Sequence, residues 1–116
     1  MLLAFSVAPS GTPAGRNPAS AATSPTNAAD GSVHDAVAAA VKIVRESGLP
    51  HQTDSMFTTI EGEWDEVFAV VKEATEAVGR FGSRVSLVIK ADIRPGYSGE
   101  LSGKVERLEK AISESR

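Results

Sequence analysis

Hydrophobic and polar positions along the 116-residue chain predict strands that alternate with helices. Residues 2–8, LLAFSVA, place large apolar side chains at every second position and small or hydroxyl side chains between them, which is typical of a strand with one buried face. Residues 84–93, RVSLVIKADI, alternate in the same way, and their predicted core face comprises Val85, Leu87, Ile89, Ala91 and Ile93. Residues 51–61, HQTDSMFTTIE, favour β structure more weakly, as one bent strand or as a pair of strands.

Apolar residues at helical spacing predict three helices. The first begins near Ser32, where Asp35 completes a short capping box, and ends at Gly48 before Pro50. The second runs from about Glu63 to Gly82, and its predicted buried face comprises Trp64, Val67, Phe68, Val71, Ala74 and Val78. The last helix is amphipathic, and its apolar side comprises Leu101, Val105, Leu108 and Ile112.

The order of these elements predicts an α+β fold. If residues 51–61 form two strands, the plan is βαββαβ, the ferredoxin-like arrangement, followed by a C-terminal helix. The sheet is then antiparallel and both helices cover one of its faces. The other face is left open, and it must meet solvent, a ligand or a second subunit.

Residues 13–31 have a composition of their own. They contain three Pro and six Ala, but no Val, Ile, Leu or aromatic residue, and so cannot bury enough apolar surface to offset the entropy of ordering. We expect a flexible insertion, free rather than docked, within a single domain that spans residues 1–116.

Charge and composition exclude several classes of function. Twelve Lys and Arg stand against fifteen Asp and Glu, and the mixed charges build no basic stripe, which argues against a nucleic-acid partner. The chain has no Cys, hence no disulfide, thiolate metal site or cysteine nucleophile. The apolar N-terminus is short and has no Lys or Arg before it, and no segment approaches the roughly 20 apolar residues of a membrane span, so we expect a cytoplasmic protein without a membrane partner.

Few residues have the spacing that catalysis or metal binding needs. His34 and His51 lack a second ligand at metal-binding distance, and the chain has no nucleophile elbow, phosphate loop or dinucleotide fingerprint. We therefore predict no catalytic residue, no metal and no bound cofactor. Glu61, before a helix, and Asp92, inside an apolar strand, remain as candidates, either for surface ion pairs or for ligand contacts.

Four segments resemble the thiamine-binding protein family of small ferredoxin-like domains. In chain order they are FSVAPSGT, SVHDAVAAAVKIVRESGLPHQ, MFTTIEGEWDEVFAVVKEA and RVSLVIKADIR. The resemblance covers nearly all of the chain except residues 13–31. It implies binding of thiamine or its hydroxymethylpyrimidine part without catalysis. It also implies a homodimer or homotetramer in which sheets of separate subunits pair or face each other.

The resemblance also implies where a ligand would bind. The motif positions carried over are Pro9, Gly11, Thr12, Thr58, Glu61, Gly62, Asp92 and Arg94. Of these we expect Thr12, Thr58, Glu61, Asp92 and Arg94 to contact the ligand, together with Ser6 and Phe57, at an open sheet face or an oligomer interface. A carboxylate or hydroxyl can pair with the amino edge of a pyrimidine, and a carboxylate favours the thiazolium charge.

Two features depart from the family pattern. Phe57 stands where the pattern favours Gly, so its ring either fills the ligand space or stacks on the ligand. The insertion after Thr12 replaces a short loop. Two alternative functions therefore stay open: an oligomeric assembly protein with no small ligand, and a small enzyme that uses Glu61 or Asp92 as a base.

Overall fold

The sheet is built around the first strand. In a computed structural model, which describes residues 1–12 and 29–115 and only the backbone of residues 29–33, β1 (Leu2–Ser10) lies between β3 (Thr58–Glu61) and β4 (Arg84–Asp92). The short strand β2 (His51–Thr53) pairs with β3 at one edge, giving the order β2-β3-β1-β4 with every pair antiparallel. Residues 51–61 are thus two strands, and the predicted ferredoxin-like βαββαβ fold is confirmed.

Three α-helices complete the described part of the fold. Helix α1 comprises Ala29–Glu46, α2 comprises Trp64–Val78 and continues as a 3₁₀ turn through Gly79–Phe81, and α3 comprises Glu100–Glu114. Helices α1 and α2 pack on one face of the sheet, whereas α3 follows β4 and approaches β3.

The core lies between β1 and the two packed helices. Leu3, Phe5 and Val7 of β1 are buried on the helix side, and Ile60 of β3 lies directly opposite Leu3 in the same layer. The helices contribute small and β-branched residues that allow close approach to the sheet, namely Ala36, Ala40 and Val44 of α1 and Val67, Val71, Ala74 and Val78 of α2.

Several predicted element boundaries need correction. Helix α1 begins at Ala29 rather than at Ser32, so residues 29–31 belong to a helix and not to the predicted insertion. The rest of that insertion, residues 13–28, lies outside the described residues, and its flexibility stays a prediction. Helix α2 ends as a regular helix at Val78 rather than at Gly82, because the chain tightens into the 3₁₀ turn first.

Some predicted core residues are exposed. Leu87 and Ile89 lie on the helix side of the sheet but are 39% and 38% exposed, because β4 is an edge strand and the helices pack mainly over β1. Ile93, beyond the end of β4, is 48% exposed. Trp64 is 53% exposed because it begins α2 at the end of the sheet. Its ring stacks on that of Phe68, with the centroids 5.3 Å apart.

Candidate functional site

The sequence-predicted site residues do not form one site. Thr58 lies opposite Phe5 on the helix side of the sheet, whereas Glu61 lies opposite Leu2 on the open side. Three residues along a strand separate them, roughly 10 Å, and the two side chains point to opposite faces. The two-residue period of a strand sends Thr58 inward, so Thr58 and Glu61 do not meet on the open face of one chain. That both contact a ligand, at an open sheet face or an oligomer interface, stays a prediction.

One group of candidates surrounds a cavity between α1 and the turn that joins β2 to β3. The cavity has a volume of about 200 Å³, and Phe57 and Thr58 line it together with Val37 and Val41 of α1. It opens onto a wider groove along α1 that reaches His34, Lys42 and Arg45. The walls are mostly apolar with a few hydroxyl and carboxyl groups, the usual character of a small-molecule pocket.

The cavity exists because β3 is shorter than β1. Strand β3 pairs with β1 only between Leu2 and Phe5, so within the described part of the chain residues 6–8 have no strand neighbour on that side. These residues, Ser6, Val7 and Ala8, line the cavity at this gap in the sheet, which we call the sheet gap. In an antiparallel strand every second residue directs its N–H and C=O to a given side, so the sheet gap offers backbone hydrogen-bonding groups to a ligand.

Asp54, which is not among the predicted site residues, fixes the turn that closes this cavity. Its carboxylate accepts hydrogen bonds from the N–H groups of Met56, at 2.8 Å, and Phe57, at 2.9 Å. The hydrogen bond from Phe57, and to a smaller extent the one from Met56, holds the pKa of the Asp54 carboxyl below its usual range. The sequence signal was an Asp directly before a turn, since Asp commonly bonds the backbone two residues on.

Thr58 is held in place by a neighbour across the strands. Its side-chain oxygen lies 3.1 Å from that of Thr53 on β2, and the residue is only 8% exposed. Since a hydroxyl both donates and accepts, this pairing leaves Thr58 hydrogen-bonding capacity for a group in the cavity.

Glu61 lies outside this cavity, and its carboxylate already has backbone partners. It is 8% exposed, and its carboxylate accepts hydrogen bonds from the N–H groups of Glu100, at 2.8 Å, and Leu101, at 3.3 Å. These are the first N–H groups of α3, whose N-cap residue is Gly99 and has no side chain to satisfy them. Glu61, at the end of strand β3, therefore supplies the cap that α3 lacks, and its negative charge also complements the helix dipole.

Asp92 and Arg94 are engaged nearby. Asp92 lies opposite Leu2 on the other side of β1, and its carboxylate accepts a hydrogen bond from Lys104 of α3 at 2.5 Å. This bond and the Lys104 charge lower the pKa of Asp92. The Arg94 guanidinium lies 3.6 Å from the ring centroid of Tyr97, in a cation–π contact. The structure thus uses both predicted acids to hold the start of α3.

The remaining predicted residues lie within β1 or directly after it. Thr12 is exposed, directly before the residues that the structure does not describe. Gly11 has a positive φ of 77°, and a Cβ there would collide with Ser83, so its place in the family motif has a backbone explanation. Ser6 lines the sheet gap, but its side chain points to the open face, opposite Val88.

Neither a metal-binding cluster nor a membrane-spanning helix occurs among residues 1–12 and 29–115. No group of three or more His, Cys, Asp or Glu side chains there could hold a metal ion. No helix of the described chain is long and apolar enough to cross a membrane.

The fold and the cavity define a small ferredoxin-like α+β domain with a pocket beside its sheet. Residues 19–109 match the thiamine-binding protein family, and the chain belongs to that family. It is 44% identical over 113 residues to a UPF0045 protein of Mycobacterium bovis, an alignment that covers 97% of this chain and 94% of the relative. The predicted family membership is confirmed.

Solved structures support the same fold. A domain of unknown function, DUF77, from Bacillus cereus superposes with a TM-score of 0.67 at 28% identity, covering 91% of this chain and 86% of the other. A Thermotoga maritima protein, described as a candidate for thiamine biosynthesis or salvage, superposes with a TM-score of 0.62 at 23% identity and covers 93% of this chain and 99% of its own. At that identity the second likeness concerns the fold alone.

Proposed function

We propose that the chain binds thiamine or a related hydroxymethylpyrimidine without transforming it, and that the sheet gap holds the pyrimidine ring. Membership of a family named for thiamine binding supports the ligand class. The observation that carries the location is the cavity of about 200 Å³ beside the unpaired edge of β1. This volume lies below the roughly 300–1,000 Å³ of typical ligand pockets, so it suits a single ring with the remainder of the molecule in the outer groove.

The chemistry of the sheet gap matches an aminopyrimidine. Such a ring presents an acceptor nitrogen and a donor amino group side by side, and an open strand edge presents N–H and C=O groups in a similar way. Thr58 adds a hydroxyl, and the half-buried Phe57 ring provides a surface on which a flat ring can stack. By contrast, Glu61 and Asp92 would have to give up contacts with α3 before they could reach a ligand.

Binding should be measured by titration calorimetry with thiamine and with the free pyrimidine. Thr58→Val should weaken binding about two- to twelvefold by removing the hydroxyl from the cavity, since a neutral hydrogen bond contributes about 0.5–1.5 kcal/mol. Thr59→Val is the matched control, since Thr59 is the next residue of β3 but points to the open face, and it should bind as the parent does. The proposal would be contradicted if neither compound gave a binding heat, or if both variants lost affinity to the same extent.

Phe57 decides between ligand binding and an assembly protein with no small ligand. If the ring stacks on a ligand, Phe57→Ala should weaken binding. If the ring plugs the cavity, the parent should show no thermal stabilisation, and Phe57→Ala should create it. A ligand at 100 times its dissociation constant raises the free energy of unfolding by about 2.7 kcal/mol, which a melting experiment detects readily.

The enzyme alternative has less support from the geometry. Glu61 and Asp92, the two acids that would serve as a base, each bond to α3. A mass spectrum of the ligand after incubation tests this directly, since a binding protein returns the ligand unchanged.

We also propose that the chain forms a homodimer or homotetramer through β4 and the open face of the sheet. Strand β4 is nine residues long and is an edge strand, so it presents unpaired backbone groups to a second copy. Val88 at its centre is 53% exposed on the open face. Sedimentation of the parent and of Val88→Lys tests this association, and a parent that sediments as a monomer at all concentrations would contradict it.

A further inference from the structure

Helix α3 carries an exposed apolar side. Val105, Leu108 and Ile112 are 54%, 58% and 57% exposed, and Leu101, one turn before them, is partly buried. Together these four residues form a continuous row, which we call the α3 stripe. Exposed apolar rows of this kind on a protein surface commonly mark an interaction site.

The helix is attached to the domain at its beginning. Glu61 caps its first turn, and Lys104 bonds Asp92. Beyond that point the described residues provide little cover for the stripe, as the exposure of its last three members shows. Beside its start, between α3 and the segment of Pro50 and Gln52, lies a groove of about 530 Å³.

We propose that the α3 stripe is the contact surface for α3 of a second copy of this chain, with the two helices parallel. This surface differs from the β4 edge proposed above, and the proposal does not depend on ligand binding. It rests on the identity of the stripe residues, on the charges beside them and on the composition of the rest of the chain.

The stripe has the spacing of a coiled coil. Its residues are separated by four, three and four positions, which are successive d, a, d and a positions of a heptad. The a positions hold β-branched Val105 and Ile112, and the d positions hold Leu101 and Leu108. β-Branched residues at the a positions with Leu at the d positions favour a pair of parallel helices, because these side chains pack well into the holes of such a pair.

The flanking charges also favour the parallel orientation. Lys104 occupies a g position and Glu109 the e position five residues later, so in a parallel pair each Lys104 would face the partner's Glu109. The ammonium group has three donors and can keep its bond to Asp92 while meeting a second carboxylate. In an antiparallel pair with the stripe in register, Lys104 would instead face Ala111, and Glu109 would face Ser102, so no opposite charges would meet.

Another segment of the chain is a poor candidate for covering the stripe. Residues 13–28 contain no Val, Ile, Leu, Met or aromatic residue, so they have no large apolar side chain to pack against Leu108 or Ile112. A second α3 supplies four such side chains at matching spacing. The short length of two heptads is offset because each helix is already anchored to a folded domain.

Cysteine cross-linking tests the orientation directly, because the chain has no other cysteine. In a parallel pair the two copies of residue 112 face each other at a distance that suits a disulfide, whereas in an antiparallel pair they are roughly 16 Å apart along the axis. Ile112→Cys should therefore form a disulfide dimer under mild oxidation. Ser113→Cys is the matched control, because residue 113 is next to residue 112 but points away from the stripe. This variant should form little disulfide-linked dimer.

A second variant tests whether the stripe is needed for association. If α3 helices pair, the parent should sediment as an even multiple of 12.1 kDa, and Leu108→Glu should halve that mass. The circular dichroism of the domain should stay unchanged, because residue 108 is exposed in the single chain. Lys110→Glu, on the opposite side of α3, should leave the mass as in the parent.

Three results would overturn the proposal. They are a parent that sediments at 12.1 kDa at all concentrations, a Leu108→Glu variant with the same mass as the parent, and equal cross-linking of the two cysteine variants. The first would also count against the β4 contact. The second, together with dissociation by Val88→Lys, would retain the β4 contact and reject the α3 pair.

Discussion

Removal of the Glu61 carboxylate should loosen the start of α3. This side chain is 8% exposed and accepts two backbone N–H groups, at 2.8 and 3.3 Å, from a helix whose own N-cap is glycine. A hydrogen bond to a charged group contributes about 1.5–3 kcal/mol, and the longer of the two bonds should contribute less. We therefore expect Glu61→Ala to cost about 2–4 kcal/mol of α3 docking, and Glu61→Gln, which keeps one carbonyl oxygen, about 1–2 kcal/mol.

Amide hydrogen exchange measures this effect where it occurs. One to two kcal/mol corresponds to a factor of about 5–30 in an equilibrium constant, so the amides of Glu100 and Leu101 should exchange faster by about that factor in Glu61→Gln. The amides of β1 should change little, since the helix-side core does not include α3. Glu73→Gln, the same substitution at an exposed position on α2, is the control and should leave α3 unchanged.

The refuting result is specific. If Glu61→Ala leaves exchange at residues 100–101 as in the parent, the carboxylate does not hold α3, and the two bonds contribute nothing measurable. If instead thiamine binding is lost while α3 exchange is unchanged, Glu61 belongs to the ligand site, and the sheet gap is the wrong location.

Three further predictions concern other parts of the structure. Gly82→Ala should destabilise the domain by about 1–3 kcal/mol in urea unfolding, because a Cβ there would lie 2.5 Å from the carbonyl oxygen of Ser10, whereas Gly103→Ala, in an open helical position, should stabilise α3 by about 0.5–1 kcal/mol. Leu3→Ala should cost about 2–5 kcal/mol, since the side chain is fully buried at the centre of the sheet. The pKa of Asp92 is lowered in the folded state, so its contribution to α3 docking is present above its ordinary pKa and is lost as the pH falls through the lower folded value. Between pH 5 and pH 2, the loss of α3 amide protection should therefore be larger in the parent than in Asp92→Asn, which keeps only the Glu61 anchor.

The fold was predictable because each level of the sequence agreed with the next. Alternation in residues 2–8 and 84–93 gave two strands, and the apolar spacing of α1 and α2 gave the layer that covers them. The order of elements then left the ferredoxin-like plan, which the structure confirms. Boundaries were less accurate, as with Ala29 and Val78, because helix ends depend on local competition between turn types that periodicity does not record.

Alternation also predicts which face a strand residue points to, but not whether that face is covered. Leu87 and Ile89 do lie on the helix side, yet both are more than a third exposed because β4 is at the edge. Strand order is a tertiary property, and no local pattern in residues 84–93 distinguishes an edge strand from a central one. The same limit applies to Val105 and Leu108, whose amphipathic spacing indicates a partner without saying which one.

The sequence indicated some residues of the cavity, namely Ser6, Phe57 and Thr58, but not its geometry or its other walls. Thr58 and Phe57 do line a cavity, but that cavity depends on where β3 stops pairing with β1, which the sequence of β3 does not reveal. Glu61 was identified as an unusual acid, and its burial bears that out. Its partners are backbone groups 39 and 40 residues away, and backbone groups carry no sequence signature.

The two ends of β1 therefore have separate physical roles. At the end where β3 has stopped, the unpaired edge of β1 and the Phe57 side chain border a cavity, where we propose that a ring binds. At the other end, Glu61 and Asp92 flank Leu2 and hold a helix whose N-terminus has no cap of its own. A strand only nine residues long can serve both roles because its neighbours differ in length, so the sheet ends at different points on each side. It follows that changes at the sheet gap should alter ligand binding with little effect on α3, and that changes at Glu61 should do the reverse.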